Sequence, residues 1–311
     1  MALKASTSPN VAHTALDFVF NQKYQDEAQI ARGRARASDP LVFKQESASS
    51  DKVIYDQFGG GGLFAQRTNE EAEIQQSSPR VTNNVSLTVL EFAYAVDVPK
   101  NFMDDEKHGV VKSNVVDMAR RAKLSQDDYA IDRWSLGMTG TVLTNDAVAW
   151  FSNSHTTIDG TTVDNKELGV LNATNLETLI ISLGRQKNQG GILGHFDANL
   201  LLVPLNLLKD GSEVIDSDLL AGTGNNNINY LSRKYPGLEL KFSPTLDDTS
   251  TTAYFLASSE HSCKRWVRED VATNYISWDI SKNKVGTYQC WFREVVAPVS
   301  YEGTAGSDGS V

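Results

Sequence analysis

Alternation of apolar and polar positions is clearest between Val85 and Val96. Val85, Leu87, Val89, Glu91, Ala93 and Ala95 share one face, and Ser86, Thr88, Leu90, Phe92, Tyr94 and Val96 the other. With its β-branched and aromatic content, this pattern predicts a strand. The period then changes. Val111, Val115, Met118 and Ala122 recur at helical spacing, while Lys112, Arg120, Arg121 and Lys123 lie off that stripe. Asp104 and Asp105 suit the start of this helix, where carboxylates meet unpaired N–H groups and the positive end of the dipole. The spacing predicts a helix over 104–137, ending at Gly137 and kinked near Ser125, well beyond the usual three turns.

Further along, Thr174 is placed to cap a helix carrying Leu176, Leu179, Ile180 and Leu183, which stops around Gly190-Gly191. Leu200–Val203 reads as a buried strand, and Pro204 opens a helix through Leu208 to Ile215. Gly222–Asn229 is a loop. Strands are expected at Leu238–Phe242, Ala253–Ala257, Tyr275–Ile280 and Gly286–Val296, with a turn at Asn283-Lys284. The Gly/Ser-rich tail from Glu302 reads as frayed, and no internal repeat is visible.

The N-terminal 50 residues offer one apolar patch, Ala15, Leu16, Phe18, Val19 and Phe20, before Ser, Ala and Arg take over. Such a segment buries too little surface to fold alone, so an extended arm with some helix, ordered against a neighbour, is expected. The run Gly59–Gly62 reads as a flexible joint. The polar stretch from Arg67 to Asn84 reads as a projecting loop that returns through the strand at Val85–Val96.

Composition narrows the function classes. A 40% hydrophobic, 22% charged chain of 311 residues can build a real core. Its net charge of −10 is uneven: residues 1–50 carry +1 and the rest −11. Such a balance argues against a dedicated nucleic-acid-binding protein and favours solubility. Cys263 and Cys290 are too few for a disulfide scaffold and lack zinc spacing, so synthesis in a reducing cytoplasm is expected. The N-terminus lacks the apolar core of a signal peptide, and no apolar run approaches the ~18 residues of a membrane span.

Candidate chemistry is sparse. The glycine run lacks the Gly-Lys-Ser/Thr of a phosphate loop. His13, His108, His155, His195 and His261 show no metal-ligand spacing, and neither cysteine sits in a nucleophile motif. No catalytic residue, metal or cofactor is therefore expected. The candidate functional residues are instead intersubunit contacts: Arg32, Arg34 and Arg36 in the arm, and Arg67, Glu70, Glu71, Glu73 and Arg80 in the loop. A solvated face explains the three glutamates equally well.

The acidic helix start, the long helix and Trp150-Phe151-Ser152-Asn153-Ser154-His155 together carry a resemblance. This stretch resembles the central segment of tailed-phage major head proteins, specifically the Mu-like major head subunit family with the Hong Kong 97-type coat fold. The resemblance implies an α+β fold covering the whole chain: an N-terminal arm (1–57), an extended loop and its return strand (58–98), a peripheral domain with a long spine helix (99–160), an axial α/β domain (161–255), and closing strands with a tail (256–311). The helix Leu176–Lys187 followed by Leu200-Leu201-Leu202-Val203-Pro204 is similar to the axial unit of that family. The implied function is mechanical. Copies assemble as hexamers and pentamers into an icosahedral shell around double-stranded DNA, bound without sequence specificity. Separate scaffolding, portal and decoration proteins are the implied partners, and the virion capsid, assembled in the host cytoplasm, is the implied location. An encapsulin-like compartment is the same-fold alternative, and a soluble hydrolase or ligand-binding protein the alternative of another class. Some coat proteins of this fold lock their shells by an isopeptide bond from a loop Lys, but the span 58–99 contains no Lys.

Overall fold

The structure is a computed structural model that describes residues 9–27, 33–59, 80–101, 108–218, 228–277 and 285–310. The chain opens with α1 (Pro9–Glu27), β1 (Lys44–Ser47), β2 (Lys52–Gly59), β3 (Arg80–Thr88) and β4 (Leu90–Pro99). The long helix α2 (His108–Met138) follows, then short pairings β5 (His155–Thr156), β6 (Thr162–Val163) and β7 (Lys166–Glu167). Next come α3 (Ala173–Arg185), β8 (Leu200–Pro204), α4 (Leu208–Ile215), α5 (Tyr230–Lys234), β9 (Glu239–Ser243) and α6 (Thr245–Thr249). Strands β10 (Tyr254–Ala257), β11 (Cys263–Ile276), β12 (Val285–Pro298) and β13 (Thr304–Ser307) close the chain.

Two sheets organise these elements. The four-stranded sheet has the order β1-β11-β12-β4 and the five-stranded sheet β7-β13-β10-β8-β9, while among the described residues β2 and β3 pair only with each other, as a ribbon. The C-terminal half of α2 joins the two sheets. Trp134 stacks near Trp150 (4.4 Å between centroids), Phe255 (5.8 Å) and Phe43 (6.5 Å), and Phe151 lies 5.0 Å from Phe255. All five rings are essentially inaccessible to solvent. A second core under α3 packs Leu176, Leu179 and Leu183 on Leu201, Val203 and Leu256 of the five-stranded sheet. In a third, Leu16 and Phe20 of α1 pack with Val115 and Met118 of α2 and Tyr288 of β12.

Most expected elements are present, with shifted ends. Helix α2 runs as one element through Ser125 to Met138; Asp104 and Asp105 lie outside the described residues. Asn172, not Thr174, caps α3, its side chain accepting from Asn175 N–H, and the helix stops at Arg185. The strand expected across 85–96 divides at Val89, whose N–H donates to Asp51 O. Thr88 and the residues before it pair with β2, and Leu90 onward with β12. The ribbon's first strand, β2, thus starts at Lys52, inside the segment assigned to the arm.

Three expectations are corrected. The described part of the N-terminal segment does not wait for a neighbour. Ala35, Ala37, Val42 and Phe43 are wholly buried, and Asp17 of α1 accepts from Thr273 Oγ1 (2.7 Å) and Tyr288 Oη (2.6 Å). Burying Phe20 and Phe43 is worth roughly 1.5–3 kcal/mol each, which an Ala/Ser/Arg-rich composition conceals. The tail does not fray: β13 is an inner strand, hydrogen-bonded to β10 and β7. Gly306 is there for space, since a Cβ would come within 3.0 Å of Met138, Phe151 and Phe255. Finally, Tyr275 and Ile276, expected to open a strand reaching Ile280, are the end of β11, which begins at Cys263; residues 278–280 lie outside the described residues. Its charges hid it, and so did register shifts at Val267/Glu269 and Glu269/Ala272 that break the alternation. Those charges have partners: Arg265 pairs with the buried Glu294 and donates to Gln45 Oε1 (3.1 Å), and Trp291 Nε1 donates to Glu269 Oε1 (2.9 Å).

Candidate assembly surfaces

The β2–β3 ribbon is the element least explained by the chain's own core. Its register runs from Lys52 opposite Thr88 to Gly59 opposite Arg80, with an irregularity at Gln57/Phe58. Val53, Tyr55 and Leu87 root it against a small core of Trp266, Val295, Ala297 and Val299, and Lys264 Nζ sits 4.5 Å from the centre of the Tyr55 ring. Ile54 on the opposite side is 63% exposed. A two-stranded ribbon is marginal in water unless its apolar side finds cover.

Beside the root, β4 forms an edge of the four-stranded sheet, with β12 as its only strand neighbour among the described residues. Leu90 and Tyr94 are exposed along it, and a groove of about 470 Å³ lies between it and α2, lined by Phe92, Met118, Ala122 and Phe292. An open ten-residue edge is a ready template for another chain. The other sheet is guarded: β9's outer edge is covered by Gly33–Ala35, and β7 is only two residues long.

The expected contact residues fare unequally. Arg34 and Arg36 alternate with the buried Ala35 and Ala37 and are themselves half-buried. Both cations bear on the buried Asp127, countering the burial that pushes its carboxyl up. Arg80 lies on β3 opposite Gly59. Arg32, Arg67, Glu70, Glu71 and Glu73 lie outside the described residues, as does the Gly60–Gly62 part of the joint.

The His155–Asp146 pair would be the natural start of a catalytic reading. His155 Nδ1 lies 2.8 Å from Asp146 Oδ2 and Nε2 lies 3.1 Å from Trp150 O, so both ring nitrogens are occupied. The ring is fully buried and stacks on Tyr301 at 4.6 Å. Hydrogen bonds to His155 and Thr144, opposing burial, hold the Asp146 carboxyl below its ordinary range. The pair clamps the loop after α2, out of reach of any substrate. Among the described residues no group of three or more His, Cys, Asp or Glu could hold a metal, and no helix is long and apolar enough to cross a membrane. Sequence reasoning missed the β4 edge, because an edge strand and an inner one share the same alternation.

No family model matches the sequence, and no curated protein does. Solved structures match over 70–93% of the chain. The bacteriophage JBD30 capsid is 16% identical over 70% of this chain and 93% of its own, with a TM-score of 0.54. The virus-like particle from Pyrococcus furiosus is 10% identical over 93% and 98%, with a TM-score of 0.51. The capsid of Myoviridae phage XM1 is 13% identical over 87% and 90%, with a TM-score of 0.50. The architecture is the Hong Kong 97-type coat fold.

Proposed function

We propose that this chain is a major capsid protein, the head subunit of a tailed phage, which assembles into a closed icosahedral shell around double-stranded DNA. The observation that carries the reading is a shell-protein fold that two solved particles share over 87% and 93% of the chain. The rooted ribbon and the open β4 edge support it, since both gain free energy by covering surface on another copy. Within that fold the chain divides into an arm (1–57), an extended loop (58–98), a peripheral unit (99–160), an axial unit (161–255) and closing strands (256–311), and the family it fits best is the Mu-like head subunit. Arg32, Arg34, Arg36, Arg67, Glu70, Glu71, Glu73 and Arg80 face neighbouring copies. Hexamers and pentamers build the shell in the host cytoplasm, helped by separate scaffolding, portal and decoration proteins. Purified particles test the contents: nuclease-resistant double-stranded DNA supports the phage head, whereas particles filled with one enzyme and no DNA mark an encapsulin-like compartment.

A further inference from the structure

Residues 33–47 cross from one sheet to the other and are tied at three places. At the first, Ala35 N–H donates to Phe242 O and Phe242 N–H to Gly33 O, both at 2.8 Å, closing the outer edge of β9. Lys241 of β9 adds an ion pair to Asp39 at 3.3 Å. At the second, Ala37 N–H donates to the buried Asp127 Oδ1 of α2 at 2.9 Å, while Val42 and Phe43 fill the core between the sheets. At the third, β1 runs parallel to β11, Trp266 Nε1 donates to Glu46 Oε2 at 2.8 Å, and Lys264 pairs with the same carboxylate.

From these contacts we propose that residues 33–47 are a clasp that holds the angle between the two sheets and so sets the curvature of the shell, an inference that rests on the shell function above. A shell of identical chains curves according to how far the two halves of each subunit rotate about their joint. A strap bonded to both sheets and to the helix between them, with Val42 and Phe43 in the core they share, limits that rotation. Its adjustable fastener is Asp39–Lys241. Their side chains keep 14% and 20% of their exposure, and Lys241 already has a second carboxylate, Glu239, at 3.1 Å. Asp127 is the fixed pin, because without it the buried Ala37 N–H loses its acceptor.

Hydrogen exchange on the unassembled subunit and particle diameters by electron microscopy test the proposal together. Lys241→Gln should speed exchange at the Ala35 and Phe242 amides at least tenfold, leave β10 and β13 amides unchanged, and broaden the diameter distribution. Asp127→Ala should expose amides across 33–47, and Asp127→Asn, which keeps an acceptor oxygen, should restore them. Should Asp127→Ala fail to fold, Lys241→Gln alone decides. Exchange unchanged in Lys241→Gln overturns the clasp, and faster exchange with wild-type diameters overturns its role in curvature. A wild-type chain that forms no particles refutes the shell function instead, and the exchange arm still judges the clasp.

Discussion

Acidification should weaken the subunit through His261, and the loss can be worked from its surroundings. The ring is fully buried in the turn between β10 and β11, where Nδ1 accepts from Cys263 N–H at 3.1 Å. Burial, reinforced by the charge of Lys44, holds its pKa down to about 4 from an ordinary 6.5. Native His261 is therefore neutral through the range in which the unfolded chain takes up a proton. Stability is complete above about pH 6.5, falls by about 1.4 kcal/mol per pH unit below it, and has dropped by roughly 3 kcal/mol at pH 4. In His261→Asn an amide oxygen can take the Cys263 N–H, but nothing titrates. Urea unfolding of the unassembled subunit at pH 7, 6, 5 and 4.5 gives the assay. Burial raises the carboxyls of Asp127, Glu294 and Glu302, which act in the opposite direction, but they are common to both proteins and cancel in the difference. The stability gap between wild type and variant should shrink steadily as pH falls. A gap constant from pH 7 to 4.5 would refute the reasoning.

The packing at Gly306 and the residue content of the loop carry three further expectations. Gly306→Val should lower subunit stability by about 1–3 kcal/mol by overpacking Met138, Phe151 and Phe255; an unchanged melting temperature would return the tail to the frayed state its composition suggested. Reversing Glu70, Glu71 and Glu73 to Lys should cut particle yield while leaving the monomer folded, since each contact of ~0–1 kcal/mol recurs around the shell; unchanged yield makes them a solvated face. Boiled, reduced particles should run as one 34.1 kDa band. From residue 52 to 88 the sole Lys is Lys52, exposed at the root and not the tip of the ribbon, and an Arg guanidinium stays protonated and non-nucleophilic. A ladder of reductant-resistant multimers would contradict this.

Where one physical signal dominated, the sequence was legible. Leu200–Val203 and the stripe Val111, Val115, Met118, Ala122 announced β8 and α2, because continuous or periodic burial leaves a simple pattern. Misreadings arose where composition and environment disagree. Ala35 and Ala37 look like arm residues, yet their small side chains are wholly buried in the core that Trp134 of α2 shares. Thr304-Ala305-Gly306-Ser307 looks like a loose end because its neighbours, and not its own atoms, supply the bulk. Charged β11 looks unlike a strand because Glu46 and Glu294, distant in sequence, neutralise Lys264 and Arg265, and Gln45 accepts a hydrogen bond from Arg265. The assembly surfaces were half legible: the ribbon from its polar loop, the open edge of β4 not at all, since which strand lies outermost is decided by topology.

Self-assembly is the central claim, and light scattering after size exclusion, with electron microscopy of the same fractions, tests it most directly. The account predicts closed particles with five- and six-fold clusters of the 34.1 kDa subunit, formed by the chain alone or with a scaffolding partner. A chain that stays a 34.1 kDa monomer at high concentration, with and without that partner, would contradict it.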